Sequence, residues 1–439
     1  MADLTFERPE DPGERPETEG TGLLSVWASR TFDAFRVPTY RILWLGTALA
    51  FLAFNMASTA QGVVAFDLTG SNRAVGLVLA GQGLAMCVLN PFGGAIADRF
   101  SKRLLLLLAQ TIIGGVMLAT ALLILSGRIN VTLLTLGSFM VGSMFAFNGP
   151  TRTAMVGEVV PDERVGNAMA LMQVGGNLAR ISGPFLAGAL LAWPVVGSAG
   201  VYFIIAAIFI VVIGTMYRIP PGRPTQKRET SVLQDVRLGF RYILHSPRLL
   251  HCVISFHLVT VLGLSYFVLM PAFAKEVLDA GTAGLGIMLG VSSAGGLAMS
   301  LIVASLADSK RAAVFLTAAS FCSGIALMLL SIAPTFAVAV LVMVLVGGCS
   351  SAFQTLNNVV ALSLTDADYY GRVMGVVFLA WGLNSFVSLP IGFVADIVGV
   401  RNVLFGLGFA LCNVVLLLLV WRRRIYADEE RWSPGAAPA

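Results

Sequence analysis

The sequence predicts an all-α membrane protein of twelve transmembrane helices in two pseudo-symmetric six-helix bundles, and three observations lead there. Of 439 residues, 57% are hydrophobic and only 12% charged, with a mean hydropathy of +0.83. That balance excludes a soluble multidomain chain. The apolar runs are long, unalternated and rich in Leu, Ala, Val and Gly, whereas a membrane-spanning strand alternates over about ten residues. In hydrocarbon such runs satisfy their own backbone only as helices. Finally, landmarks of the first half of the chain recur in the second.

Taken in order, residues 1–22 are polar, with no apolar core of a cleavable signal, so the first span is expected to act as its own uncleaved signal. This segment is expected to be disordered. Residues 23–36, "LLSVWASRTFDAFR", mix Leu, Trp and Phe with Arg, as an interfacial helix does. Twelve spans follow near 41–65, 76–97, 104–126, 130–153, 166–192, 199–217, 250–274, 284–306, 312–332, 335–362, 373–396 and 401–421. The organisation is a tail at 1–37, a bundle at 38–217, a central loop at 218–249, a bundle at 250–424 and a tail at 425–439. The central loop is Pro-rich at first and then helix-compatible.

Lys and Arg crowd one set of loops, including Arg99, Lys102, Arg103, Arg152, Arg164, Lys310, Arg311, Arg372 and Arg422 to Arg424. The opposite set holds only Arg73, Arg128, Lys275 and Arg401. By the positive-inside rule both termini face the cytosol of a cell inner membrane. The net charge of +5 mostly reflects this asymmetry rather than a nucleic-acid partner. Five cysteines lie in separate spans without CxxC spacing, which speaks against disulfides and metal clusters. No Walker loop, HExxH or GxSxG is present, so the chain does not read as an enzyme, and no cofactor is expected.

The internal repeat is specific. "GGAIADRFSKR" (Gly93 to Arg103) follows span two and "VASLADSKR" (Val303 to Arg311) follows span eight; each puts Ala-Asp at a helix end, then basic residues. "VPDERVGNAM" and "DADYYGRVMG" join spans four to five and ten to eleven, and Pro184 matches Pro390 at the offset that relates Phe147 to Phe353. Such paired bundles rock about a site near the membrane midplane.

Gly93 and Gly94 are small enough to let spans two and eleven approach. Asp98 is placed to accept from the N-terminal amides of span eleven, near Arg372. Arg99, Lys102 and Arg103 hold the short loop at an anionic leaflet. A purely topogenic basic loop explains the same residues without gating.

"GGAIADRFSKR" resembles the signature of the major facilitator superfamily between spans two and three, and Asp308 to Arg311 resembles its weaker second copy. The run from Phe147 to Ala192, with "YRILWLG" and "DLTGS", is similar to the enterobactin-exporter-like, or drug:proton antiporter-3, branch. The resemblance covers essentially the whole membrane portion. It implies a major facilitator fold and a monomeric proton-coupled exporter of an amphipathic small molecule, drug or siderophore-like, working by alternating access. It also implies that the span-two motif latches the cytosolic side, and that Arg152 and Glu158 join Asp98 in a charge network, Arg152 being its preferred partner. A solvated surface pair of Arg152 and Glu158 is the alternative. "GPFLAG", with Gly183, Pro184 and Gly188, resembles the antiporter motif of span five. Uptake or lipid translocation on the same fold, and a non-transporting receptor, are the competing functions.

Arg180 lies deep in span five, too far in for comfortable snorkelling. A charge at such depth faces the bundle interior or water and is a functional candidate. Gln173, Asn177 and Arg180 follow i, i+4, i+7 and share a face. Similar stripes are Asn55 with Ser58 and Thr59; Gln354, Asn357 and Asn358; and Trp381 with Asn384, Ser385 and Ser388. With Phe353 and Tyr266 they suggest a large amphipathic cavity, although a single Asn in a span also serves as interhelical glue. Many relatives carry Gly-Asp in span one where this chain has Ala53 and Phe54, and no Asp or Glu falls deep in any span. The candidates for proton coupling are therefore Asp67, Glu158 and His257.

Overall fold

The computed structural model describes residues 32–220, 232–304, 312–366 and 369–432, all helical or in turns and loops. The first six helices are α1 (Pro38–Thr69), α2 (Asn72–Arg99), α3 (Lys102–Leu125), α4 (Val131–Val159), α5 (Asp162–Ala192) and α6 (Gly197–Tyr217). The central segment contributes α7 (Val232–His245). The second six are α8 (Pro247–Leu264), α9 (Gly281–Ala304), α10 (Ala312–Ser331), α11 (Phe336–Ser363), α12 (Tyr370–Val398) and α13 (Val400–Trp432). Among the described residues, eleven spans are long and apolar enough to cross a bilayer. The twelfth, α5, has 31 residues and packs in the same bundles, but Gln173, Asn177 and Arg180 lower its hydropathy. Most of the expected interfacial segment 23–36 lies outside the described residues; its end, Asp33–Arg36, is a 3-10 turn.

The turns follow local chemistry. Gly70, at φ 63°, ends α1 in the left-handed region, where only a residue without a Cβ is unstrained. Ser101, Asn130 and Ser246 cap α3, α4 and α8 by accepting from amide N–H groups one turn on.

Two spans differ from expectation. The seventh continues past Leu264 as a 3-10 stretch, Ser265–Leu269, one α turn and a π turn, Phe273–Val277. Pro271 lacks the N–H that a continuous helix would give to the Phe267 carbonyl, so the ladder changes register there. The twelfth runs on to Trp432, past the expected end of the bundle at 424.

The bundles meet through α2 on α12 and α5 on α9. A Cβ built on Gly188 would come within 2.2 Å of the Gly286 Cα, and one on Gly83 within 2.6 Å of the Gly382 carbonyl, so these crossings require glycine. Gly290 likewise packs on Phe185. The glycines of "GLGIMLG" are thus helix-packing residues.

Candidate functional site

The α5–α9 crossing and the outer part of the α2–α12 crossing lie toward the end of the molecule away from the termini. Polar contacts reinforce that end. Asp396, near the close of α12, accepts from Ser71 Oγ at 2.5 Å, Asn72 N at 2.8 Å, Asn72 Nδ2 at 3.0 Å and Arg73 N at 3.0 Å. A carboxylate from one bundle therefore caps the N-terminus of α2 in the other, where amides and helix dipole favour negative charge. Nearby, Lys275 pairs with Asp67 across the same interface.

This arrangement is the one anticipated for Asp98 at the opposite end. Asp98 and Arg99 end α2, but their side chains and that of Asn177, the surroundings of the motif glycines Gly93 and Gly94, and all of Asp308 lie outside the described residues. The signal for Asp396 was present in the sequence: Gly392-Phe-Val-Ala-Asp396 repeats the spacing of Gly94-Ala-Ile-Ala-Asp98. Gly392 allows the close approach, since a Cβ there would meet the Asn72 carbonyl at 2.3 Å.

Directly beneath this closed layer, toward the termini, α5 presents Arg180. Its Nη1 donates to Gln354 Oε1 of α11 at 2.8 Å, and its guanidinium lies 4.8 Å from the centre of the Trp381 ring of α12. One arginine of the first bundle thus touches two helices of the second. A cation over an indole face is stabilised by the ring quadrupole, by about 0.5–2 kcal/mol. Arg180 and Gln173 are both exposed, and among the described residues Arg180 has no carboxylate in ion-pair range. Pro184, four residues on, lacks the N–H that would have bonded the Arg180 carbonyl. Gly183 seats α5 against α1, where a Cβ would meet Asn55 Cβ at 2.5 Å. At the other end of α5, Tyr40 Oη donates to the Ala168 carbonyl and Trp44 Nε1 to that of Leu171, fixing the helix along its length.

Other expected cavity residues separate. Asn55 donates to its own helix at the Phe51 carbonyl. Asn384 accepts from Ser265 Oγ at 3.1 Å, joining α12 to the irregular end of span seven. Asn357 does not line the cavity: it is fully buried and accepts from Cys252 Sγ inside the second bundle. Asn358 is half-buried, with its Oδ1 enclosed. Phe353 stacks on Phe256, 5.7 Å away, also inside that bundle. An i, i+3 spacing covers enough of the helix for Gln354 and Asn357 to diverge.

At the end bearing the termini, Glu158 pairs with Lys102, and Arg103 donates to the Tyr217 carbonyl at 3.0 Å. Arg152 is not a surface residue. It is 1% exposed, held by Asn148 Oδ1 and, at 2.6 Å, by Thr47 Oγ1. The alternative of a solvated Arg152–Glu158 pair is thereby excluded, because Asn148 and Thr47 reach the guanidinium inside the bundle, while the expected pairing of Arg152 with Asp98 involves a side chain outside the described residues. His257 Nδ1 faces the Val253 carbonyl at 2.8 Å. Phe54 stacks on Phe145, ring centres 3.6 Å apart.

Two bundles of six meet at the end away from the termini over a central polar bridge, and the sequence pattern of the Major Facilitator Superfamily matches residues 43–389. The chain belongs to the Major Facilitator Superfamily. It is a multi-pass membrane transporter rather than an enzyme. It is similar to the enterobactin exporter EntS of Shigella dysenteriae serotype 1 (strain Sd197), 23% identical over 392 residues, covering 87% of this chain and 92% of that one. Its fold is similar to a POT family transporter in complex with 5-aminolevulinic acid (TM-score 0.72, 12% identity, 88% of this chain and 96% of that one). A bacterial homolog of the human lysosomal transporter Spinster, inward-facing and unoccupied, gives a TM-score of 0.68 at 15% identity, covering 91% of this chain and 99% of that one.

Proposed function

We propose that this facilitator is a proton-driven exporter of an amphipathic, anionic small molecule of siderophore-like chemistry. The observation that carries the reading is Arg180: a guanidinium bridging the bundles below the closed layer, with Gln354 and Trp381 as partners and no carboxylate in range among the described residues. An anionic oxygen cluster satisfies that charge, and the indole supports an aromatic or apolar portion of the same molecule. The likeness to EntS, named for enterobactin export, supports the same substrate class.

On this reading the termini lie in the cytosol and the end that Asp396 and Asp67 hold together faces outward. Substrate enters from the cytosol, the Asp396 and Asp67 contacts release, and the basic end closes. Of the three coupling candidates, Asp67 alone pairs across the bundle interface, so its protonation weakens the closed end. One proton crossing 100 mV supplies about 2.3 kcal/mol, enough for roughly a fifty-fold gradient.

The test is transport by the whole protein in inverted membrane vesicles with an acid lumen, comparing catecholate siderophores with macrolides and tetracyclines. Accumulation of the catecholate with lumen alkalinisation is expected. Accumulation without proton movement rejects the coupling, and catecholate loss from loaded vesicles against the imposed gradient indicates uptake instead.

A further inference from the structure

A mainly apolar cavity with a basic mouth lies inside the C-terminal bundle, separate from the Arg180 bridge. It is a pocket of ≈ 80 Å³ between α8, α10, α11 and α13. At roughly 10–15 Å³ for each water such a space holds, it takes a small group or a few methylenes, not a transported siderophore. Its composition is graded. Arg248, His251 and Arg422 stand at the end bearing the termini, Thr317 and Ser320 line one wall, and Val259, Phe353 and Val415 form the interior.

One hydroxyl of the lining has no partner. Ser255 is 7% exposed and lines the pocket, and its enclosed Oγ has no hydrogen-bond partner. A buried hydroxyl left unsatisfied is destabilising, which marks a place where a ligand atom fits. His251 is fixed by the Leu418 carbonyl at 3.0 Å and packs 5.1 Å from Trp421, so the mouth is built rather than incidental. From Arg248 to Val259 the helix rises about 16 Å, the distance from the headgroup layer into the upper acyl region.

We propose that this pocket binds an anionic phospholipid of the leaflet on the side of the termini, its phosphate between Arg248 and Arg422 and its glycerol ester toward Ser255. Two arginines at the mouth, above a lining that changes from polar to apolar, complement a lipid rather than a free anion. Basic pockets between transmembrane helices at the cytosolic face hold anionic headgroups in this way.

The experiment uses the full chain, delipidated and returned to nanodiscs of phosphatidylcholine containing phosphatidylglycerol, with retained lipid read by native mass spectrometry. Wild type is expected to retain phosphatidylglycerol selectively. Arg248→Gln/Arg422→Gln is expected to lose about thirty-fold of that preference. Arg423→Gln/Arg424→Gln removes the same charge outside the pocket and is expected to keep it, whereas Ser255→Leu, which fills the slot with both arginines intact, is expected to lose retention. Equal retention of both lipids by wild type, an unchanged preference in the Arg248 and Arg422 variant, or an equal loss in the Arg423 and Arg424 control overturns the proposal. Displacement of the lipid by inorganic phosphate overturns it in favour of a plain anion site.

Discussion

Replacing Asp396 with Ala should shift the protein toward the state open at the end away from the termini. The carboxylate accepts four hydrogen bonds from Ser71, Asn72 and Arg73, three of them in the range 2.8–3.0 Å. A hydrogen bond to a charged group is worth about 1.5–3 kcal/mol, but this carboxylate is exposed and water recovers part of each bond. A net loss of about 2 kcal/mol is therefore expected, about thirty-fold in the ratio of open to closed forms. An open share of about one percent would rise to about a fifth. Spin labels on Leu68 and Val398, exposed on the two sides of this contact, report it as a second, longer distance by pulsed electron resonance. Asp396→Glu, which keeps the charge, should restore much of the short distance. An unchanged distribution in Asp396→Ala would refute the idea that this carboxylate holds the end closed.

Two further substitutions test other parts of the frame. Gly188→Val places a side chain where the Gly286 backbone stands, so the closed layer cannot form, and transport is expected to fall to background while a detergent-stable protein is still recovered. Arg152→Ala leaves Asn148 Oδ1 and Thr47 Oγ1 without their donor and opens a cavity in a fully buried site, so thermal unfolding in detergent is expected at lower temperature, by a destabilisation of about 2–4 kcal/mol. An unchanged melting temperature would place Arg152 outside the structural core of the first bundle.

The spans were legible because length and apolarity are set by the bilayer, and Arg180, the centre of the proposed site, stood out because it is a charge too deep in its span to reach either surface comfortably. What periodicity lacks is direction. It grouped Gln354 with Asn357 on one face, yet one reaches Arg180 while the other turns to Cys252. Nor does it report depth: the sequence left open whether Arg152 was a solvated surface charge, and Thr47 and Asn148 enclose it. The unwinding of span seven followed from Pro271, whose effect depends on whether neighbouring helices replace the lost bond. Asp396 was hidden for a different reason. Its resemblance to the Asp98 motif lies at the end where basic residues are few, so the spacing repeats without the cluster of charges that draws attention to it.

The central claim, that Arg180 holds an anionic substrate group, is tested most directly by binding. Affinities of purified wild type and Arg180→Ala should be compared for a catechol carboxylate and for its fully methylated, neutral counterpart. Loss of one charge-assisted contact predicts about thirty-fold weaker binding of the anion to Arg180→Ala, with the neutral compound little changed. Equal weakening for both compounds, or none for the anion, would contradict the account.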